Sequence, residues 1–131
     1  MKQEYKELLA DVTSNGKSDA DINEVNGIPL PQEYLDFIHV CNGGEGNLGK
    51  NAYIQIYPLE ELDEVNRDYE IQEYLPGYFV WGTDLGGMLF GYSQKTGMYS
   101  AVDSVSLSEE DLMYEESSLL SFLRRWDAEL E

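Results

Sequence analysis

Three strand-like segments in the second half of the chain, residues 78–82, 88–93 and 98–103, constrain the fold more than any other feature. They are rich in aromatic and aliphatic residues, and each gap between them is short and contains glycine. Short glycine-containing gaps between strands predict β-hairpins. Two successive hairpins form an antiparallel meander, so the rest of the chain has to pack against such a sheet.

Helical spacing of apolar residues predicts helices before, between and after the strands. The first covers residues 2–12, and the third covers residues 60–74. The second begins at Pro31, a favoured first-turn residue, and ends at the Asn42-Gly43-Gly44 turn. The last begins near Ser118. Buried positions are expected on the last three helices at Tyr34, Leu35, Ile38, Cys41, Leu62, Val65, Tyr69, Ile71, Leu119, Phe122, Leu123 and Trp126.

A further strand is expected at residues 53–57, because isoleucine and tyrosine dominate this segment and Pro58 ends it. Residues 13–21 are interpreted as a loop, and residues 108–111 as a capped turn of helix. Together these elements predict an α+β fold with a central antiparallel meander flanked by N-terminal, middle and C-terminal helices. We expect one domain spanning residues 1–131.

The chain carries 26 acidic and 8 basic side chains, which give a formal net charge of −18. A field of this sign repels nucleic acid and anionic membranes and attracts basic surfaces. We therefore expect no nucleic-acid or membrane partner. The single cysteine, Cys41, leaves no internal disulfide, and the polar N-terminal segment lacks the apolar core of a signal peptide. Both features are typical of a cytoplasmic protein.

Residues 44–50 begin like a phosphate-binding loop, with glycine, a spacer, a second glycine and a lysine. Such a loop requires a strand before it, a helix after it, and serine or threonine after the lysine. Here a predicted helix comes first, a predicted strand follows, and Asn51 stands after Lys50. We interpret the segment as a helix end followed by an exposed loop.

Other patterns that resemble catalytic or metal sites are incomplete. An acidic stretch has Glu24 and Leu30 where a calcium loop requires glycine and glutamate. His39 and Cys41 lie two residues apart on a predicted helix, so they point to different faces and are too few for structural zinc. Residues 91–95 lack the last glycine of a nucleophile elbow. We predict no catalytic residue, metal or cofactor, while the many carboxylates leave a carboxylate-based hydrolase as an alternative.

Acidic residues cluster in two groups. The first falls in the third predicted helix, opposed only by Arg67, and contains Glu60, Glu61, Asp63, Glu64, Asp68, Glu70 and Glu73. The second contains Glu109, Glu110, Asp111, Glu115 and Glu116. Each group fits a solvated face. The first also fits a surface for a basic protein partner, to which some of the 10 tyrosines would add aromatic contacts.

The order of several short motifs resembles the SUKH superfamily, which includes bacterial immunity proteins and a fungal regulator of cell-wall synthesis. Residues 30–38, followed by Asn42-Gly43-Gly44, resemble its helix and turn. Residues 56–62, then 82–87, then 118–122 at the start of the last helix resemble its later pieces. The resemblance runs from about Leu30 to Trp126, which is most of the chain.

The resemblance implies the same α+β fold and a function without catalysis. Bacterial members typically bind and neutralise a cognate polymorphic toxin, often a nuclease. The positions that carry over are expected to shape loops and turns: Asn42, Gly43, Gly44, Asp84, Gly86 and Gly87. The hypothesis is therefore an immunity protein with a basic toxin as its partner. A regulatory scaffold of the same fold is the alternative, and the oligomeric state stays open.

Overall fold

The computed structural model describes residues 7–14, 22–48 and 52–129. Within these ranges the helices are α1 (Gln32–Val40), α2 (Leu62–Asp68), α3 (Ile71–Tyr74) and α4 (Leu119–Glu129). The strands are β1 (Asp11–Ser14), β2 (Glu24–Val25), β3 (Ile28–Pro29), β4 (Gly44–Leu48), β5 (Ala52–Ile56), β6 (Tyr78–Thr83), β7 (Met88–Ser93), β8 (Met98–Asp103) and β9 (Met113–Glu116). Two 3-10 turns cover Leu59–Glu61 and Glu109–Asp111.

Seven of the described strands form one sheet in the order β1-β4-β5-β6-β7-β8-β9, and every neighbouring pair is antiparallel. The predicted α+β fold with an antiparallel meander is confirmed. The three strands that sequence placed at residues 78–82, 88–93 and 98–103 are β6, β7 and β8, with β6 one residue longer than expected.

The predicted first helix is wrong where the structure describes its end. Residues 1–6 lie outside the described residues, residues 7–8 are helical, and β1 begins at Asp11. Val12 is half-buried between the exposed Asp11 and Thr13, which is the period of a strand. Of the apolar positions of the predicted helix, only Val12 lies in the strand, which pairs with β4.

The stretch after the Asn42-Gly43-Gly44 turn is also a strand, β4, and not the exposed loop that its glycines indicated. It pairs with β5 on one side and with β1 on the other. Gly46 permits this approach, because a side-chain carbon there would overlap the carbonyl oxygen of Asp11 and lie 2.9 Å from Val12 Cα. The glycines therefore serve close strand contact as well as a turn.

The predicted helix over residues 60–74 is divided. A 3-10 turn leads into α2, and Glu70, with a φ of 55°, interrupts the helix before α3. Leu62 and Ile71 are buried as expected, whereas Tyr69 is 37% exposed.

Two short features were missed altogether: the β2–β3 hairpin, whose strands have two residues each, and the acidic edge strand β9.

The larger hydrophobic core lies on one face of the sheet, under α1 and α4. Trp81 of β6 is fully buried at its centre, with ring centroids 5.7 Å from Phe90 and 5.9 Å from Phe122. Helix α4 begins where expected, because Ser118 Oγ accepts a hydrogen bond from the Ser121 N–H. Glu33 of α1 caps the same end by accepting from the Leu119 N–H at 2.9 Å.

A smaller core lies on the opposite face, which we call the second face. Here α3 and the segment after β8 pack on β6, β7 and β8 through Ile71, Leu75, Tyr78, Val80, Leu89, Val102 and Leu107. The Tyr78 hydroxyl lies 2.9 Å from Ser100 Oγ, and its ring covers Gly91, where a side-chain carbon would overlap it. This core stops at β6, so β5, β4 and β1 carry exposed side chains on their second face.

Candidate partner-binding surface

The first acidic group lies on the segment that runs from the 3-10 turn through α2 to α3. All seven carboxylate residues are exposed: Glu60, Glu61, Asp63, Glu64, Asp68, Glu70 and Glu73. Leu62 and Ile71 are buried beneath them. The structure therefore places these acids on the outer surface of one segment, and we call this set the acidic helix surface.

Asn66 holds α2 against the sheet. It is 1% exposed, its Oδ1 accepts from the Val80 N–H at 2.7 Å, and its Nδ2 donates to the Val80 carbonyl at 3.0 Å. Strand β5 pairs with β6 only at Gly82 and Thr83. At Val80 the side-chain amide of Asn66 therefore makes the two hydrogen bonds that a neighbouring strand would otherwise make. Sequence reasoning missed Asn66. The available signal was its position one helical turn after Leu62, which places it on the buried side of the helix.

Two members of the acidic helix surface are tied to neighbouring loops. The Asn42 side chain donates to both Glu60 carboxylate oxygens, at 2.9 and 3.2 Å. The Asn26 N–H, at the turn of the β2–β3 hairpin, donates to Asp63 Oδ1 at 2.9 Å. These two carboxylates therefore help to position the helix, which sets them apart from the other acids of the surface.

Glu61, Glu64 and Asp68 are three further acids of the same segment. Spacings of three and four residues bring side chains of a helix next to one another, so these three acids form a row. Three neighbouring carboxylates repel one another, and a cation placed beside them relieves that repulsion. This row is the part of the acidic helix surface best suited to a basic partner.

The second acidic group is partly neutralised within the chain. Among the described side chains, both ion pairs lie there: Lys95 Nζ with Glu109 at 2.9 Å, and Arg125 with Glu116 at 3.0 Å. Neither pair includes a member of the acidic helix surface. The field of the first group is accordingly the less compensated of the two among the described residues.

The six motif positions lie in two turns. Asn42 is 9% exposed, and its Oδ1 accepts from the Leu59 N–H at 2.7 Å. Gly43 has a φ of 87°, a conformation that favours glycine, and Gly44 begins β4. This turn therefore joins three elements: the end of α1, the start of β4 and the 3-10 turn before α2.

The second motif turn connects β6 to β7. Asp84 Oδ1 accepts from the Gly86 N–H at 2.7 Å and from the Met88 N–H at 3.0 Å. Gly87 has a φ of 106°, and Leu85 adopts a φ of 62° despite its side chain. The Asp84 carboxylate is engaged by its own turn, which is a structural use of the residue.

Sequence reasoning also missed a groove on the second face, beside the acidic helix surface. The groove has a volume of about 400 Å³, and its walls include Glu45 of β4, Gln55 of β5, Tyr57, Glu61 and Val65. We call it the Glu45–Glu61 groove. Recognising residues 44–48 as a strand would have revealed the groove, because Glu45 then lies directly opposite Gln55.

Polar side chains fix the geometry of this groove. Glu45 Oε2 accepts from the Tyr53 hydroxyl at 2.5 Å, and its Oε1 accepts from Gln55 Nε2 at 3.2 Å. The hydrogen bond to Glu45 raises the pKa of Tyr53, because deprotonation would break it. Burial, followed by Tyr69 and Glu61, raises the pKa of Tyr57 to about 12. Both tyrosines therefore stay protonated near neutral pH and present hydroxyl groups.

The pair His39 and Cys41 is separated as the helical spacing indicated. His39 is exposed on α1, whereas Cys41 is 3% exposed and part of the larger core. A buried thiol next to an exposed imidazole does not form a nucleophile–base pair.

None of the helices in the described part of the chain is long and apolar enough to cross a membrane.

The fold and the surface together define a small α+β protein with a meander sheet and an exposed acidic helical segment. The profile of the SMI1 / KNR4 family (SUKH-1) matches residues 16–125, and the chain belongs to this family. The resemblance drawn from its short motifs is thus confirmed. Members of this family are generally non-catalytic immunity or regulatory proteins. No curated protein matches the chain.

Proposed function

We propose that this protein is an immunity protein that binds a cognate polymorphic toxin, a nuclease in the favoured case, and neutralises it without catalysis. The observation that carries the proposal is membership of the SUKH-1 family over residues 16–125. The protein would act in the cytoplasm, where a thiol such as Cys41 stays reduced.

The charge of the chain supports a basic partner. A nuclease binds a phosphate backbone through lysine and arginine, so its working surface is basic. A protein with a net charge of −18 attracts such a surface from a distance and speeds encounter. The acidic helix surface gives this attraction a defined location, since its seven carboxylates are all exposed.

Neutralisation by binding requires that the toxin lose access to its substrate. The row formed by Glu61, Glu64 and Asp68 presents closely spaced negative charge, as a phosphate backbone does. A toxin that docks its basic surface on this row covers the residues that would otherwise hold nucleic acid. No chemical step is needed for this inhibition, and it lasts as long as the complex does.

A rescue experiment tests the proposal. The toxin domain encoded beside this gene is expressed with and without this protein, and surviving cells are counted. We expect survival only in the presence of this protein, together with a stable complex on co-purification. The absence of rescue would contradict the proposal, and the absence of a neighbouring toxin gene would favour a regulatory scaffold.

Charge-reversed variants locate the surface. The triple change Glu61→Lys, Glu64→Lys and Asp68→Lys alters the net charge by the same amount as Glu110→Lys, Asp111→Lys and Glu115→Lys in the second acidic group. All six residues are exposed, and both sets avoid the acids that hold Asn42, Asn26, Lys95 or Arg125. We expect the first triple to abolish rescue and the second to preserve it. Equal effects would show that net charge alone matters.

A further inference from the structure

In the described part of the chain, the second face of the sheet is open over β1, β4 and β5. Side chains directly opposite one another in an antiparallel sheet share a face. Thr13, Glu45 and Gln55 are opposite one another in this way, as are Asp11, Asn47 and Tyr53. Most of these residues are exposed, and Tyr53 keeps 38% of its surface accessible. Among the described residues, the helical cover of this face therefore ends at the Glu45–Glu61 groove.

The groove presents carboxylates from two separate elements. Glu45 comes from β4 and Glu61 from the 3-10 turn before α2, and both line the same concave space. Tyr57 and Val65 form apolar parts of the same wall. The Glu45 carboxylate is held in place by Tyr53 and Gln55, so little side-chain freedom remains to be lost when a ligand binds.

This combination favours a guanidinium group. Arginine binds a carboxylate through two parallel N–H···O bonds and stacks on aromatic rings, whereas the lysine ammonium is a compact point charge. The carboxylates of Glu45 and Glu61 supply acceptors, and the Tyr57 ring supplies a surface for stacking. A second copy of this chain is disfavoured as the occupant, because two molecules that each carry −18 repel one another.

We propose that the Glu45–Glu61 groove binds an arginine side chain presented by a basic segment of the partner protein. The inference rests on the proposed function, which supplies a basic protein partner. It adds a defined pocket to an otherwise diffuse electrostatic attraction. Anchor residues that enter such pockets dominate the affinity of protein interfaces.

The probe is a short linear peptide of alternating glycine and arginine, titrated at low ionic strength into the isotopically labelled full chain and followed by NMR. A peptide with lysine in place of arginine is the matched ligand. We expect chemical-shift changes concentrated at Glu45, Tyr53, Gln55 and Tyr57, with weaker binding of the lysine peptide. Changes spread equally over both acidic groups, or equal binding of the two peptides, would overturn the inference.

Two neutral variants test the residues. Glu45→Gln and Glu61→Gln keep the shape of each side chain and remove its charge, and we expect each to weaken arginine-peptide binding by about fivefold or more. Glu110→Gln and Asp111→Asn, made in the second acidic group, are expected to leave it unchanged. If Glu45→Gln and Glu61→Gln bind the peptide as the wild type does, the groove is not the arginine site.

The two proposals fail separately. Peptide binding in the groove is measured without a toxin, and rescue is measured without the peptide. Rescue combined with no groove-specific binding would retain the proposed function and overturn this inference. Groove-specific binding without rescue would retain the arginine site and contradict the immunity function.

Discussion

Asn42 Oδ1 accepts a hydrogen bond from the Leu59 N–H at 2.7 Å, although the two residues lie 17 positions apart in the chain. The same side chain donates to both carboxylate oxygens of Glu60. The turn that ends α1 thereby sets the start of the acidic helix surface. The Asn-Gly-Gly motif is thus connected to the candidate site through a single amide group.

Asn42→Ala is expected to destabilise the protein by about 1–3 kcal/mol, because it leaves the buried Leu59 N–H without its acceptor. Chemical denaturation followed by tryptophan fluorescence measures the change. In the double variant Asn42→Asp with Glu60→Gln, the acceptor for Leu59 returns, and the amide introduced at position 60 donates to the new carboxylate. We expect this double variant to recover part of the loss. Unfolding of Asn42→Ala at the wild-type denaturant concentration would contradict the account.

Asn66→Ala is expected to cost about 2–4 kcal/mol, because two backbone groups of Val80 lose their partner at a buried position. Asn47→Ala is the matched control, since Asn47 lies on β4 and is exposed. The free energies of unfolding of the two variants are compared with that of the wild type. Equal losses in both would show that Asn66 does not hold α2 on the sheet.

The course of β6, β7 and β8 was predictable from sequence because hairpin strands and their turns are local features. The positions of β4 and Asn66 were not, because both depend on partners distant in the chain. Residues 44–48 contain two glycines, which disfavour a strand on propensity, yet β1 and β5 enclose them. Asn66 is polar, and it is buried because its amide pairs with Val80 on the side of β6 where β5 no longer pairs.

Leu85→Asn is expected to stabilise the protein by up to about 1 kcal/mol, because Leu85 has a φ of 62° and asparagine tolerates the left-handed region better. Leu85 is 55% exposed, so the change removes little packing. Val105→Asn serves as the control, since Val105 is 92% exposed and lies outside the left-handed region. Thermal unfolding of both variants provides the comparison, and a lower melting temperature for Leu85→Asn would contradict the strain argument.

At alkaline pH, the free energy of unfolding is expected to depend on the ionisation of Tyr57. Its pKa is raised from an ordinary value of about 10 to about 12, so folding favours the protonated form. The stabilisation is fully present below about pH 10 and is lost as the pH rises towards 12. Two pKa units correspond to about 2.7 kcal/mol, and since Tyr57 is partly exposed to solvent we expect the loss of stability to be roughly half of that.

Tyr57→Phe keeps the ring and removes the titrating group. Between about pH 10 and 12 we expect this variant to lose less stability than the wild type, measured as the difference of their unfolding free energies at each pH. Tyr74→Phe is the control, since Tyr74 is 51% exposed. Parallel pH curves for wild type and Tyr57→Phe would show that the Tyr57 hydroxyl has no raised pKa.

The candidate site was only partly readable from sequence. Spacing placed Glu61, Glu64 and Asp68 with the other acids of one helical segment, because helical periodicity is local. It did not separate them from Glu60 and Asp63, whose partners Asn42 and Asn26 lie far away in the chain. The Glu45–Glu61 groove was hidden for the same reason, since its two carboxylates come from different elements.

The most direct test of the proposed function is a titration of toxin activity with the purified protein. A binder without catalysis reduces activity in proportion to the amount added, reaches zero at a fixed molar ratio, and gives the same end point after short and long incubation. This is the result we predict for the wild type. Complete inactivation by far less than one equivalent, with an extent that grows over time, would reveal catalysis and contradict the account.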